Sequence, residues 1–141
     1  MPLTRVYLAL TPADLEALAG AGALGTTPVR AHAVTPALGS PGLTTDEEEL
    51  EHLAWVAAAD EAGAGARDGS RRVVAAADVE AESVSYPTAA DVPSRVEVAD
   101  PVTRRQVVSF HVDEEPGATG TADLLWYDVT ELDAVRALTA G

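Results

Sequence analysis

The sequence predicts an α/β fold: a single domain over residues 1–141, with a mixed, mostly parallel sheet flanked by helices and an antiparallel C-terminal extension. A two-layer α+β sandwich is the rival arrangement. Three observations carry the prediction. Strand-like and helix-like patterns alternate through the first 80 residues, the order that builds right-handed crossovers and parallel pairing. The strands of that half are apolar almost without interruption, as strands covered on both faces are. The second half instead alternates apolar and polar residues, as an antiparallel strand with one wet face does.

Residues 5–10, Arg-Val-Tyr-Leu-Ala-Leu, form the first apolar run and read as a central strand. Thr11, Pro12 and Asp14 then supply an N-cap, a proline at the first helical position and an acid in the first turn. Leu15 and Leu18 give this helix its apolar stripe, and Gly20 and Gly22 end it. Residues 29–35 are a second strand, closed by Thr35-Pro36, and residues 39–42 a loop. Thr45 to Glu48 is a capping box that opens a longer helix to about Ala62. On that helix Leu50, Leu53, Ala54 and Ala57 share a face at about 100° per residue, with Glu48, His52 and Trp55 opposite.

Three glycines mark residues 61–70 as a loop, and residues 72–79 follow as a third apolar strand. Residues 95–99 alternate, and Asp100-Pro101 can cap one helical turn. In residues 107–113, Val108, Phe110 and Val112 point one way and Ser109, His111 and Asp113 the other. Residues 114–122, with Pro116, Gly117 and Gly120, read as a flexible loop. Residues 124–129 form a last strand and residues 130–138 a closing helix with Leu132, Val135 and Leu138 inward.

Composition excludes several functions. The chain has no Cys, which removes disulfides, thiolate metal sites and cysteine nucleophiles and points to a cytoplasmic location. No window approaches the ~20 apolar residues of a membrane span, and the apolar N-terminal run is too short for a signal peptide. Net charge is −14, and every basic residue is Arg. Such a field repels phosphate backbones and anionic bilayers, so neither nucleic acid nor membrane is an expected partner. A protein partner or a second copy of the chain is.

If the first three strands were parallel, their carboxyl ends would share an edge, the place where open α/β sheets bind ligands. Thr11, Thr35 and Asp78 stand just past those ends, and His111 and Asp113 could add a general base with its carboxylate. A structural hydrogen bond is the commoner use of such a His-x-Asp pair. No cofactor and no metal site is expected, because the three histidines, at 32, 52 and 111, match no ligand spacing. The single Glu-x-x-His at Glu49–His52 lacks the second copy that a di-iron site needs. The acids at 46–51 suit a helix N-terminus. No Gly-x-Ser-x-Gly elbow occurs. Gly20, Gly22 and Gly25 spell G-x-G-x-x-G but follow a helix rather than open one, so they cannot grip a phosphate as that motif does.

Two of the six aromatic residues are adjacent, at Trp126 and Tyr127, between Asp123 and Asp128. Neighbouring strand residues face opposite sides. Leu125, Tyr127 and Val129 form the more apolar set, which makes Tyr127 the expected core ring and Trp126, beside Asp128, the ring free to bind. Trp55 on the polar face of its helix suggests a further contact surface.

Several segments together carry a resemblance: residues 5–11 (Arg-Val-Tyr-Leu-Ala-Leu-Thr), 31–38 (Ala-His-Ala-Val-Thr-Pro-Ala-Leu), 46–51, 72–78, 111–113 and 123–127 (Asp-Leu-Leu-Trp-Tyr). The chain resembles a family of small uncharacterised actinobacterial proteins over nearly its whole length, with the loop at 115–122 where such proteins vary in length. The resemblance implies a bacterial cytosolic protein and accounts for the Ala and Arg bias. No activity and no catalytic residue come with it.

Two readings of function follow. The first is a non-catalytic interaction or accessory module, as a homodimer or with a protein partner, using the Trp55 face. The alternative is a small-molecule-binding domain or hydrolase built from Thr11, Thr35, Asp78, His111, Asp113 and Trp126. That alternative requires those side chains to converge.

Overall fold

A computed structural model describes residues 2–25, 27–38, 46–65, 70–87, 92–115 and 124–139. The loop predicted at 39–42, the cap at Thr45, most of the loop at 114–122 and Asp123 lie outside these residues. The strands are β1 (Leu3–Leu10), β2 (Ala23–Leu24), β3 (Val29–His32), β4 (Val73–Glu80), β5 (Val84–Ser85), β6 (Arg95–Val98), β7 (Val102–Thr103), β8 (Val107–Asp113) and β9 (Leu124–Asp128). The helices are α1 (Pro12–Gly20), α2 (Glu47–Gly65) and α3 (Leu132–Thr139), with short 3-10 turns at Ala81–Ser83 and Val129–Glu131.

Seven strands make one sheet in the order β5-β6-β3-β1-β4-β8-β9, and β2 pairs with β7 in a separate ribbon. Every pair is antiparallel. The expected mostly parallel sheet therefore does not form. β3 and β4 do run the same way, but β1 lies between them, so α2 closes a split crossover over an antiparallel central strand. The apolar runs reported that both faces are covered; they carried no information about strand direction. Residues 100–103, expected to include a helical turn, instead lead into β7, where Val102 pairs with Leu24.

Helices lie on both faces, which also sets aside the two-layer rival. Leu15 and Leu18 of α1 and Leu132 and Val135 of α3 pack on Val6, Leu8, Val73, Ala75, Phe110 and Val112. Leu50, Ala54, Ala58 and Ala62 of α2 pack on Tyr7, Val74 and Ala76 of the opposite face. Thr11 and Asp14 form the expected reciprocal cap of α1. At its other end Gly22 adopts φ +79°, and its N–H donates to the Ala17 carbonyl, so this glycine is a helix stop. The Asp46 side chain accepts from the Glu48 and Glu49 amides at the start of α2. That helix runs to Gly65 through residues expected to be loop. Leu53, expected inward, is exposed, and Trp55 packs against the α2-side core instead of standing on a wet face.

A bulge opposite Ala76 and Ala77 inserts one residue into β8. Val107 therefore enters the core and Val108 is exposed, so Val108 does not share the inward face with Phe110 and Val112.

Candidate functional site

Antiparallel pairing distributes the strand-end candidates over two ends of the sheet. Leu10 pairs with Val73 and Val73 with Val112, which puts Thr11 and Asp113 at one end. Arg5 pairs with Asp78 at the other, and Thr35, three residues beyond His32 on β3, belongs to that end too. The shared carboxyl edge that was to gather these groups is absent.

Each is also engaged. Thr11 caps α1. Thr35 is buried, donates to the Pro93 carbonyl and accepts from the Leu38 amide at 3.0 Å. Asp113 receives Nε and Nη2 of Arg72 at 2.9 and 2.8 Å and the Arg72 amide at 2.7 Å, all in the interior. Asp78 holds Arg5 in a two-point pair. Asp128 caps the following turn, accepting from the Thr130 hydroxyl at 2.6 Å; that bond and the Thr130 amide hold its carboxyl below the usual range.

A second buried cluster was not foreseen. His32 Nδ1 lies 2.8 Å from Ser94 Oγ, and His32 Nε2 lies 3.1 Å from Glu61 Oε1. Arg95 also grips Glu61. The His32 and Arg95 contacts outweigh partial burial and hold the Glu61 carboxyl at about 2. The order serine, imidazole, carboxylate resembles a hydrolase triad, but Ser94 is only 2% exposed and lines neither concavity described below. The cluster ties the end of α2 to β3 and β6. His32 stands 62 residues from Ser94 and 29 from Glu61, and Arg95 stands 34 from Glu61, so no local spacing could have revealed it.

The concavity that gathers chemistry lies along the flank of α2. Seven strands about 4.8 Å apart span roughly 30 Å, whereas one helix with its side chains covers about 10 Å. α2 packs mainly on β1, β4 and β3, and beyond its flank, on the same face, Trp126 of β9 stands exposed while Ser109, Asp113 and Leu124 around it are buried. The step between the helix and this end of the sheet is a groove of about 450 Å³. Arg5 and Tyr7 of β1, Ala76 of β4, Ser109 and His111 of β8, Trp126 of β9, and Glu48, Glu51, His52 and Trp55 of α2 line it.

Trp126 pairs across the ladder with His111 and is 61% exposed, while Tyr127 turns to the other face and packs on the core. Trp55 stacks on His52 at 5.7 Å between ring centroids and meets the His111 ring edge-on at 5.6 Å. The Trp55 indole N–H is buried with no acceptor among the described residues. Burial lowers the His111 pKa and so favours the neutral ring, and Ser109 Oγ lies 3.3 Å from its Nε2. Burial raises the Tyr7 pKa, and Glu51 adds to the shift.

Chemically, this wall offers rings for stacking, the imidazoles of His52 and His111, and the carboxylates of Glu48 and Glu51, which make no ion pair among the described residues. Ser109 is buried, and its strand pairs on both sides, so the ladder occupies the amides that would steady an oxyanion. Among the described residues no three His, Asp or Glu side chains converge to hold a metal. Another concavity, about 530 Å³, is bounded by Gly22, Thr103, Arg104, Arg105, Val129 and Thr130 and contains no aromatic ring, imidazole or carboxylate.

Of the sequence candidates, the groove unites His111, Trp126 and Trp55, with Asp78 behind Arg5. Tyr7, Arg5, Glu51 and Ser109 were missed as site residues. Their only signal was alternation: Arg5 and Tyr7 lie on one strand face and Ser109 beside His111 on another.

A model of a family of unknown function, DUF6912, matches residues 4–135. The chain belongs to that family. The match takes in every strand except Leu3 of β1, and the first half of α3, so the groove lies wholly inside the family's span. No curated protein and no solved structure matches the chain. Among the described residues no helix is long and apolar enough to cross a membrane.

Proposed function

We propose that this DUF6912 protein is a cytoplasmic, non-catalytic binding module whose ligand occupies the groove between α2 and the β8–β9 hairpin. One observation carries the reading: both tryptophans of the chain line the same concavity, in a protein that is 4% aromatic. Large rings at a solvent-facing concavity contribute binding area at low entropic cost. Catalysis is the weaker reading because His111 has a buried serine beside it and, among the described residues, no third group hydrogen-bonded to orient it.

The two indole N–H resonances report on the groove directly. Fragments of varied charge, added to isotope-labelled protein, are expected to shift both indole signals and the amides of Ser109 and His111. Absence of any such shift, or shifts centred on Gly22, Arg104 and Thr130, sinks the proposal.

One observation favours a second reading, an interaction module. Val108, Leu125 and Trp126 are 37%, 41% and 61% exposed along the β8–β9 side, and β9 ends the sheet. Such an edge can accept a strand from another chain. Sedimentation velocity over a range of concentrations tests it for a second copy: a monomer throughout removes the homodimer.

A further inference from the structure

We propose that the ligand of this groove is an organic cation of the quaternary ammonium class, seated on the exposed face of Trp126 and balanced by Glu48 and Glu51. The inference rests on the groove being a binding site and adds the chemistry of what binds.

The charge balance of the lining argues for it. Arg5, its only arginine among the described residues, is committed to Asp78 through Nε and Nη2. Burial favours the uncharged form of the His111 ring. Glu48 and Glu51 then leave the groove with an uncompensated negative field, in a chain whose net charge is −14. The field is felt locally, since Glu51 acts on both Tyr7 and Arg5. An anionic ligand is repelled by this wall.

The aromatic lining selects among cations. The face of an indole attracts a positive charge through its quadrupole, most strongly when that charge is weakly hydrated. A primary ammonium is compact and strongly hydrated and requires several acceptors in place of its water. Here aromatic surface dominates: the rings of Tyr7, Trp55 and Trp126, with His52 and His111 beside them, share the groove with two carboxylates. Methylated nitrogen needs no hydrogen bonds and spreads its charge over apolar methyl groups, so it satisfies rings and carboxylates together. A neutral sugar could also stack on Trp126 and donate its hydroxyls to the carboxylates, but it leaves their charge unbalanced.

The test is a titration of the full chain with benzyltrimethylammonium, benzyl alcohol and benzoate, followed by intrinsic tryptophan fluorescence. Benzyltrimethylammonium is expected to give a saturable change, weakened by added salt, and to bind more tightly than the other two. Glu48→Gln with Glu51→Gln should weaken it about ten-fold while leaving benzyl alcohol unchanged, in line with loss of a charge-assisted contact. Trp126→Ala should weaken it about five-fold. These positions are at the surface, and an unchanged circular dichroism spectrum confirms that each variant folds. Equal binding of the three probes, or tightest binding of benzoate, overturns the cation claim and leaves the groove standing. No saturable change with any probe removes the groove reading as well.

Discussion

Asp113 is fully buried and accepts three hydrogen bonds, all from Arg72. Removing one member of a buried ion pair typically costs about 3–5 kcal/mol. Asp113→Ala should therefore lower the unfolding free energy by about that much in urea titrations. Replacing both residues with apolar ones should recover most of the loss, which a catalytic role for Asp113 would not allow for activity. Glu61 gives a pH dependence of defined sign. Its folded pKa is about 2 against an ordinary 4.5, so its contribution is full above pH 4.5 and is lost as pH falls towards 2. Glu61→Gln should be less stable than the parent at pH 7, and its stability should fall less steeply over that interval. Thermal unfolding at a series of pH values decides this.

At the scale of elements, α2 sets the site. Its inward face is alanine, at 54, 58 and 62, against Val74 and Ala76 of β4, so helix and sheet approach closely and long side chains collect at the margin. Little apolar area is buried there, and the Glu61 cluster supplies a polar tether. Ala58→Leu should cost about 1–3 kcal/mol through overpacking, and by lifting α2 it should also shift the Trp55 fluorescence maximum. Much of the local structure was legible. The Thr11–Asp14 cap, the bounds of β8 and the division of Trp126 from Tyr127 follow from spacing alone, because they depend on neighbours a few residues away. The inward face of α2 was misjudged by about one position at Leu53. Its apolar stripe is built from alanines, which periodicity weighs lightly against leucine. The bulge at Val108 was illegible for a related reason, since an inserted residue looks like any other apolar one until its partner strand is known.

At the scale of the whole molecule, the error in the sheet and the error in the site are one error. Continuous apolar strands at 5–10 and 72–79 were read as parallel, and parallel strands imply a ligand edge at their carboxyl ends. The same burial arises when helices cover both faces of an antiparallel sheet, and the site then moves from a strand end to a strand face that a single helix fails to cover. Global charge acts at this scale too. With 23 acids against nine arginines, self-repulsion opposes the compact state, so moderate added salt should raise the melting temperature. An unchanged or lower value would mean that the local arginine pairs outweigh the net field.

The central claim is that the step beside α2 binds a cation. Its most direct test is the set of intermolecular nuclear Overhauser contacts between the methyl protons of bound benzyltrimethylammonium and the protein. Contacts to the rings of Trp126, Trp55 and Tyr7 are the expected result. Contacts to Val129, Thr130 and the Arg104 side chain, with none to those rings, would contradict it.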